Sequence, residues 1–190
     1  MPRRPSTTKE EMVEAAFQLV RREGLSALTA RRLAGELGCS TQPIMYRFPD
    51  LEELRQLVYQ KADEYHTAYL IRAEGLLGIG LRYVQFAADE TNLFHLLFQS
   101  GHFDGANVAD MVAAPEAGDL VRAASKELGL SREHALSVFE ALFVAVHGYA
   151  SLIANNALAY DPAAIEKTLT AIAMGLVGER TNHDQAVPKE

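Results

Sequence analysis

Side chains that can bind nucleic acid are concentrated near the N-terminus of this 190-residue chain. Hydroxyl and guanidinium groups can bind the phosphate oxygens of DNA, and a glutamine can form two hydrogen bonds with adenine in the major groove. The types and spacing of these residues indicate contact with double-stranded DNA. The predicted contact residues are Arg3, Arg4, Thr29, Arg31, Arg32, Ser40, Thr41, Gln42, Tyr46 and Arg47.

Two short helices joined by a tight turn would position these side chains. Thr29 is the predicted N-cap of the first helix, and Ser40 is that of the second. Ala34 allows the helices to cross closely, Gly38 suits a turn residue with positive φ, and Ile44 anchors the second helix. An αα-corner without a DNA role could show this spacing, but the polar residues at exposed positions favour a helix-turn-helix.

The rest of the chain also has the apolar periodicity of helices, and strand-like alternation is nearly absent. We predict an all-α fold of about nine helices, in which a three-helix head precedes a larger helical body. The predicted capping boxes pair Thr8 with Glu11 and Asp50 with Glu53, and further N-caps are predicted at Ser131 and Asp161.

The body helices are predicted at about 76–89, 92–100, 116–128, 132–156 and 162–178. The functional division we expect is a DNA-binding domain over residues 1–50, an effector-binding and dimerisation domain over 51–178, and a disordered tail over 179–190.

Composition narrows the class of protein. Cys39 is the single cysteine, and the sequence contains no apolar run that suits a secretory signal or a membrane span, so a cytoplasmic location is expected. The histidines lack close metal-ligand spacing, and no glycine motif for phosphate binding occurs. We therefore expect no catalytic residues, no metal, no cofactor and no enzymatic activity.

The formal net charge of −7 is unevenly distributed. Residues 1–61 contain ten Lys or Arg and eight Asp or Glu, whereas residues 62–190 contain eight and seventeen. A mildly basic end on an acidic body is compatible with local DNA contact by that end.

The N-terminal segment resembles the tetracycline-repressor-like (TetR) family of bacterial regulators over residues 9–60. The resemblance rests on Arg-Arg-Glu-Gly at 21–24, Arg-Leu-Ala-Gly-Glu-Leu-Gly-Cys-Ser at 32–40 and Phe-Pro-Asp-Leu-Glu-Glu-Leu at 48–54. It implies a helix-turn-helix head joined by a fourth helix to a body that binds an effector and dimerises. Two positions depart from the family pattern, because Met45 replaces a phosphate-contacting Tyr and Leu51 replaces a Lys.

Three later segments resemble one C-terminal type of the same family, which carries a His-Gly pair in its penultimate long helix. They are Tyr-Val-Gln-Phe-Ala at 83–87, Leu-Phe-His-Leu-Leu-Phe at 93–98 and His-Gly-Tyr-Ala-Ser-Leu at 147–152. The resemblance implies a largely apolar effector pocket, although aromatic residues at helical spacing are also ordinary core. The pocket candidates are Tyr65, Tyr69, Phe86, Phe94, Phe98, His102, Phe103, Phe139, Phe143 and His147.

The last two long helices are the predicted dimer face. Each carries a stripe of small or apolar residues that would allow close helix approach, and packing within one chain is the alternative. The candidates are Ala141, Ala145, Gly148, Leu169, Ile172, Ala173 and Leu176.

Together these features predict a ligand-responsive transcription regulator that binds a palindromic operator as a homodimer and is released by a small, largely apolar effector. Repression is the default that the resemblance implies, and activation stays open. The alternative is a helical interaction or sensor module of the same fold in which DNA binding is weakened or lost.

Overall fold

The computed structural model describes residues 7–101 and 115–184, and all regular elements in these ranges are helical. The predicted all-α class is confirmed. A 3₁₀ turn at Leu25–Ala27 follows the first helix. The helices are α1 (Lys9–Glu23), α2 (Ala30–Leu37), α3 (Thr41–Arg47), α4 (Glu52–Leu70), α5 (Gly75–Asp89), α6 (Thr91–Phe98), α7 (Pro115–Leu128), α8 (Arg132–Ala154) and α9 (Pro162–Asp184).

Several predicted caps form as the sequence indicated. At the start of α1, the Thr8 hydroxyl accepts from the Glu11 backbone N–H and the Glu11 carboxylate accepts from that of Thr8, which completes the capping box. The hydroxyl of Ser131 accepts from His134 N at 3.2 Å, and the carboxylate of Asp161 accepts from Ala164 N at 3.1 Å. These caps satisfy backbone donors that have no partner inside their helix.

The predicted capping box of Asp50 with Glu53 is wrong. Leu51 has φ 62, in the left-handed region, and α4 begins only after it, at Glu52. The Asp50 carboxylate therefore accepts from Glu52 N at 3.0 Å, while Glu53 pairs with Lys9 at 2.6 Å. The left-handed residue shifts the helix start by one position, which breaks the spacing that a capping box needs.

The chain divides into two compact units. The first contains the described residues up to Ala68, together with those from Glu90 through α6. Its core is formed by α1, α2, α3, most of α4 and α6, with Phe17, Leu33, Ile44, Leu54 and Phe94 almost fully buried. The packing of α6 beside α1 places two distant parts of the sequence in one unit.

The second unit contains Tyr69–Asp89 and the described part of the chain after residue 114. Helix α8 packs against α5, α7 and α9 and forms its centre. By length and composition α8 could cross a membrane, as a core helix also could, with a mean hydropathy of 1.6 and 33 % of that stretch buried inside the chain. The compact units describe packing, and the predicted functional division at residues 50 and 178 stays a prediction.

Candidate functional site

The corner between α2 and α3 forms where the sequence placed it. The Thr29 hydroxyl caps α2 by accepting from Arg32 N at 3.2 Å. Gly38 ends α2 at φ 60, ψ 33, the left-handed conformation that glycine adopts without steric cost. Leu33 and Ala34 are buried beside the turn. These features give α2 a sharp end, so that only three residues separate it from α3.

Ser40 occupies the N-cap position of α3, but its side chain makes no capping hydrogen bond. The described serine and threonine caps at α1, α2 and α8 all accept from the backbone N–H three residues later. At α3 that position is Pro43, which has no N–H. The predicted N-cap position of Ser40 is confirmed, but the expected hydrogen bond to the third residue does not form, and the exposed hydroxyl can serve another partner.

The outward face of α3 is solvent-exposed. Ile44 is fully buried and anchors one side of the helix, and Phe48 is fully buried just beyond its end. Gln42 and Tyr46, each two residues from Ile44, lie on the opposite side, and Tyr46 is 88 % exposed. Met45 is 40 % exposed. Amide, phenol and thioether groups are therefore available at one surface.

The arginines that were predicted to contact DNA around this corner differ in exposure and in the partners they have within the chain. Arg31 and Arg47 are exposed, whereas Arg32 donates to the Glu23 carboxylate at 2.6 Å. Hydrogen bonds at the start of α1 lower the pKa of Glu10, and the charge of Arg47 lowers it further by a smaller amount. Arg3 and Arg4 lie outside the described residues.

A polar network connects α1 to the residues that precede and begin α6. The guanidinium of Arg21 forms a two-pronged ion pair with the buried carboxylate of Glu90, with Nε to Oε2 at 2.7 Å. The hydroxyl of Tyr65 donates to Glu90 at 3.0 Å, and the Arg21 guanidinium lies 5.0 Å from the centre of the Tyr65 ring. The ion pair with Glu90 raises the pKa of Arg21.

The amide of Asn92 completes this network. It donates to the carbonyl oxygens of Arg21 at 3.1 Å and Arg22 at 3.0 Å, which lie in the last turn of α1. A Cβ at Gly24 would lie 3.3 Å from the Asn92 amide oxygen. The sequence pattern gave no sign of this network, because its partners are about seventy residues apart.

A ring cluster forms the most distinctive feature of the second unit. Phe139, Phe143 and His147 follow one another at one-turn intervals on α8, with neighbouring rings stacked at centroid distances of 6.3 and 6.0 Å. The Tyr83 hydroxyl on α5 lies 3.0 Å from His147 Nδ1. Burial raises the pKa of Tyr83 and lowers that of His147, so both are neutral near pH 7.

The predicted pocket residues do not form one group. Phe139, Phe143 and His147 come together with Tyr83, which the prediction omitted although it begins a segment that carries the family resemblance. Phe86 is fully buried against Tyr69, whose hydroxyl donates to Asp89 at 2.8 Å.

The other pocket candidates belong to the first unit or lie outside the described part of the chain. Phe94 and Phe98 pack together with ring centroids 5.0 Å apart, and Phe98 also contacts the buried ring of His66. Tyr65 is used in the Arg21 network. His102 and Phe103 are not among the described residues.

The predicted dimer residues are mixed in their exposure. Leu169 is 1 % exposed, and its side chain is close to Gly80 on α5, so it belongs to the core of its own chain. The small residues of α8 and the remaining candidates on α9 are partly exposed; they are Ala141, Ala145, Gly148, Ile172, Ala173 and Leu176.

Larger apolar side chains that the prediction omitted are also exposed on these two helices. Val144 and Leu152, on either side of Gly148 on α8, are 56 % and 49 % exposed, and Met174 on α9 is 70 % exposed. A Cβ at Gly148 would meet nothing within 4 Å in this chain. Val144, Gly148 and Leu152 therefore form an apolar strip on α8 that is open to solvent and has free space beside its glycine.

Comparison with known proteins agrees with this architecture. The family model described as tetracyclin repressor-like, C-terminal domain, matches residues 76–174, more than half of the chain. The chain belongs to the tetracycline repressor-like (TetR) family, which confirms the resemblance noted in the sequence. No curated protein matches it. Among the described residues, no group of three or more His, Cys, Asp or Glu side chains could hold a metal ion.

Proposed function

We propose that this chain is a cytoplasmic transcriptional repressor that binds a palindromic DNA operator as a homodimer and releases it when a small-molecule effector binds. Membership of a family of ligand-responsive transcription regulators supports the general class. The observation that carries the finer proposal is α3, a short helix anchored by buried Ile44 and exposing Gln42 and Tyr46.

In this proposal α3 enters the major groove, where the Gln42 amide can read an adenine. Donors for phosphate oxygens would come from the hydroxyls of Thr41, Tyr46 and Ser40, the last of which makes no capping hydrogen bond. Positive charge would come from the exposed Arg31 and Arg47. One short helix reads few bases. Two copies, related by a two-fold axis and about 34 Å apart, would reach successive major grooves and bind a palindromic site.

The homodimer would form through the strip of Val144, Gly148 and Leu152 on α8, together with the exposed Met174 on α9. These apolar groups are exposed in the single chain, and their burial between two copies would be favourable. The glycine would allow the two backbones to approach closely.

The effector would bind beside the cluster of Tyr83, Phe139, Phe143 and His147. The rings provide apolar surface, and the paired tyrosine and histidine provide polar atoms that can orient a ligand. Release from DNA requires that the effector bind more tightly to the dimer state with low operator affinity.

Selection from a pool of random DNA duplexes by the purified full-length chain tests the DNA-binding part. We expect enrichment of a palindrome, with an affinity that falls steeply as salt is raised. For the effector part, compounds that raise the melting temperature of the chain should lower its affinity for the enriched duplex. Tyr83→Phe and His147→Leu should reduce both effects. Independent binding of compound and duplex would refute the coupling.

A helical interaction module without DNA binding is the second candidate. It is favoured by the burial of Leu51 and by the ion pairs that occupy Arg22 and Arg32 near the corner, which leave few cations for phosphate. The same selection separates the two candidates. The module would enrich no sequence at low salt and would bind upstream fragments of its own gene no better than random DNA.

A further inference from the structure

We infer that α3 reads two neighbouring A·T base pairs in each half-site, with Gln42 on an adenine and Met45 on the 5-methyl group of an adjacent thymine. This inference rests on the proposed DNA-binding function and names the sequence feature that the surface would select. The argument uses the position and chemistry of the exposed side chains on α3.

The orientation of α3 is fixed by the burial of Ile44 and Phe48. Gln42 and Tyr46 lie opposite Ile44, and Met45, three residues after Gln42, lies beside it on one flank. Arg47 lies on the other flank. If Gln42 faces base edges in the groove, Met45 is its neighbour there. It stands where family members have a phosphate-contacting Tyr, a contact that its thioether cannot make, and Arg47 on the other flank is placed towards a phosphate strand.

The chemistry of Met45 limits what it can contact there. A thioether has no hydrogen to donate and is a weak acceptor, so it cannot replace the water that it would displace from a phosphate or a polar base edge. Thymine alone among the four bases presents a methyl group in the major groove. With 40 % of its surface exposed in the single chain, Met45 has apolar area to bury against that methyl group.

The two contacts can be removed from the DNA one atom group at a time. In the duplex enriched by the wild-type chain, uracil in place of a thymine removes only the methyl group, and 7-deazaadenine in place of adenine removes only the N7 acceptor. We expect at least one uracil position per half-site to weaken binding about fourfold. A neighbouring 7-deazaadenine should weaken binding about fivefold or more.

Protein variants assign each effect to a side chain. Met45→Ala should bind the thymine and uracil duplexes equally, whereas Met45→Leu, which keeps an apolar side chain, should retain most of the preference for thymine. Gln42→Ala should lose the discrimination against 7-deazaadenine and keep that against uracil. Circular dichroism of each variant establishes that the helical content is unchanged.

Three outcomes would overturn the inference. An enriched duplex without adjacent A·T pairs in its half-sites would do so, as would equal affinity for every uracil-substituted duplex. The third is a Met45→Ala variant that binds the thymine and uracil duplexes more weakly by the same factor, so that the preference for thymine is kept. That result would show that Met45 only packs within the head. If the wild-type chain enriches no duplex, the proposed function itself fails, and that result is distinct from the other three.

Discussion

Arg21 and Glu90, sixty-nine residues apart, meet in a two-pronged ion pair that joins the end of α1 to the start of α6. The Glu90 carboxylate is buried and also accepts from Tyr65, so its charge is satisfied from two sides. Beside this pair, Asn92 closes the last turn of α1. The helix that precedes the α2–α3 corner is thus tied to a distant part of the sequence.

Replacing one member of this pair should lower the free energy of unfolding more than replacing both. Arg21→Met leaves the Glu90 charge buried without its main partner and should lower the free energy of unfolding by about 3 kcal/mol. Arg21→Met combined with Glu90→Gln should lower it by clearly less. Urea denaturation followed by circular dichroism measures both changes, with Glu90→Gln alone completing the cycle. Additive effects of the two substitutions would contradict the ion-pair account.

His66 should make the fold sensitive to mild acid. Burial lowers its pKa from 6.5 to about 4. Between these two values the unfolded chain takes up a proton that the folded chain does not, so stability present above pH 6.5 is lost as the pH falls towards 4. The slope approaches about 1.4 kcal/mol per pH unit. In His66→Gln the unfolding free energy should depend less on pH over this window, and an unchanged slope would exclude His66 as its source.

Substitution of Gly38 should destabilise the chain only because of the backbone conformation at this position. A Cβ there would meet nothing within 4 Å, but φ is 60. Gly38→Ala should therefore destabilise the chain by about 1 kcal/mol, and Gly38→Asn should cost less because asparagine tolerates the left-handed region. Thermal unfolding compares the two variants. Gly35→Ala, at an exposed helical position with open space, is the control and should not destabilise.

The exposed strip on α8 should determine the oligomeric state. Val144→Asp or Leu152→Asp places a charge at the proposed interface and should convert a dimer to a monomer in sedimentation experiments. Ile71→Asp is the matched control, since Ile71 is 74 % exposed in the turn after α4 and outside the strip. A dimer that survives both strip variants, or dissociates equally with the control, would rule out this interface.

Local patterns in the sequence were sufficient to predict the helices and much of the corner. The caps at Thr8, Thr29 and Ser131 and the turn at Gly38 follow from interactions within four residues. The missing capping hydrogen bond at Ser40 also has a local cause in Pro43, and the same rules could have anticipated it.

Contacts between distant segments could not be predicted from local sequence patterns. Periodicity marks Leu169 as apolar on α9 but does not say that its side chain is buried beside Gly80 rather than open to a partner. The pairing of Tyr83 with His147 spans sixty-four residues and depends on how α5 packs on α8. For this reason the predicted aromatic pocket residues were individually reasonable but divided between two units.

The most direct test of the account is whether sequence preference depends on the exposed amide of α3. Fluorescence anisotropy would compare the enriched duplex with a scrambled one for the wild-type chain, Gln42→Ala and the control Gln60→Ala, which changes the same residue type at an exposed position of α4. We expect the wild type and Gln60→Ala to prefer the enriched duplex equally. If about four phosphates are contacted, the affinity of both should fall about a hundredfold between roughly 50 and 200 mM salt. Gln42→Ala should lose most of the preference and keep this salt dependence. An undiminished preference in Gln42→Ala would contradict the assignment of α3 as the reading helix.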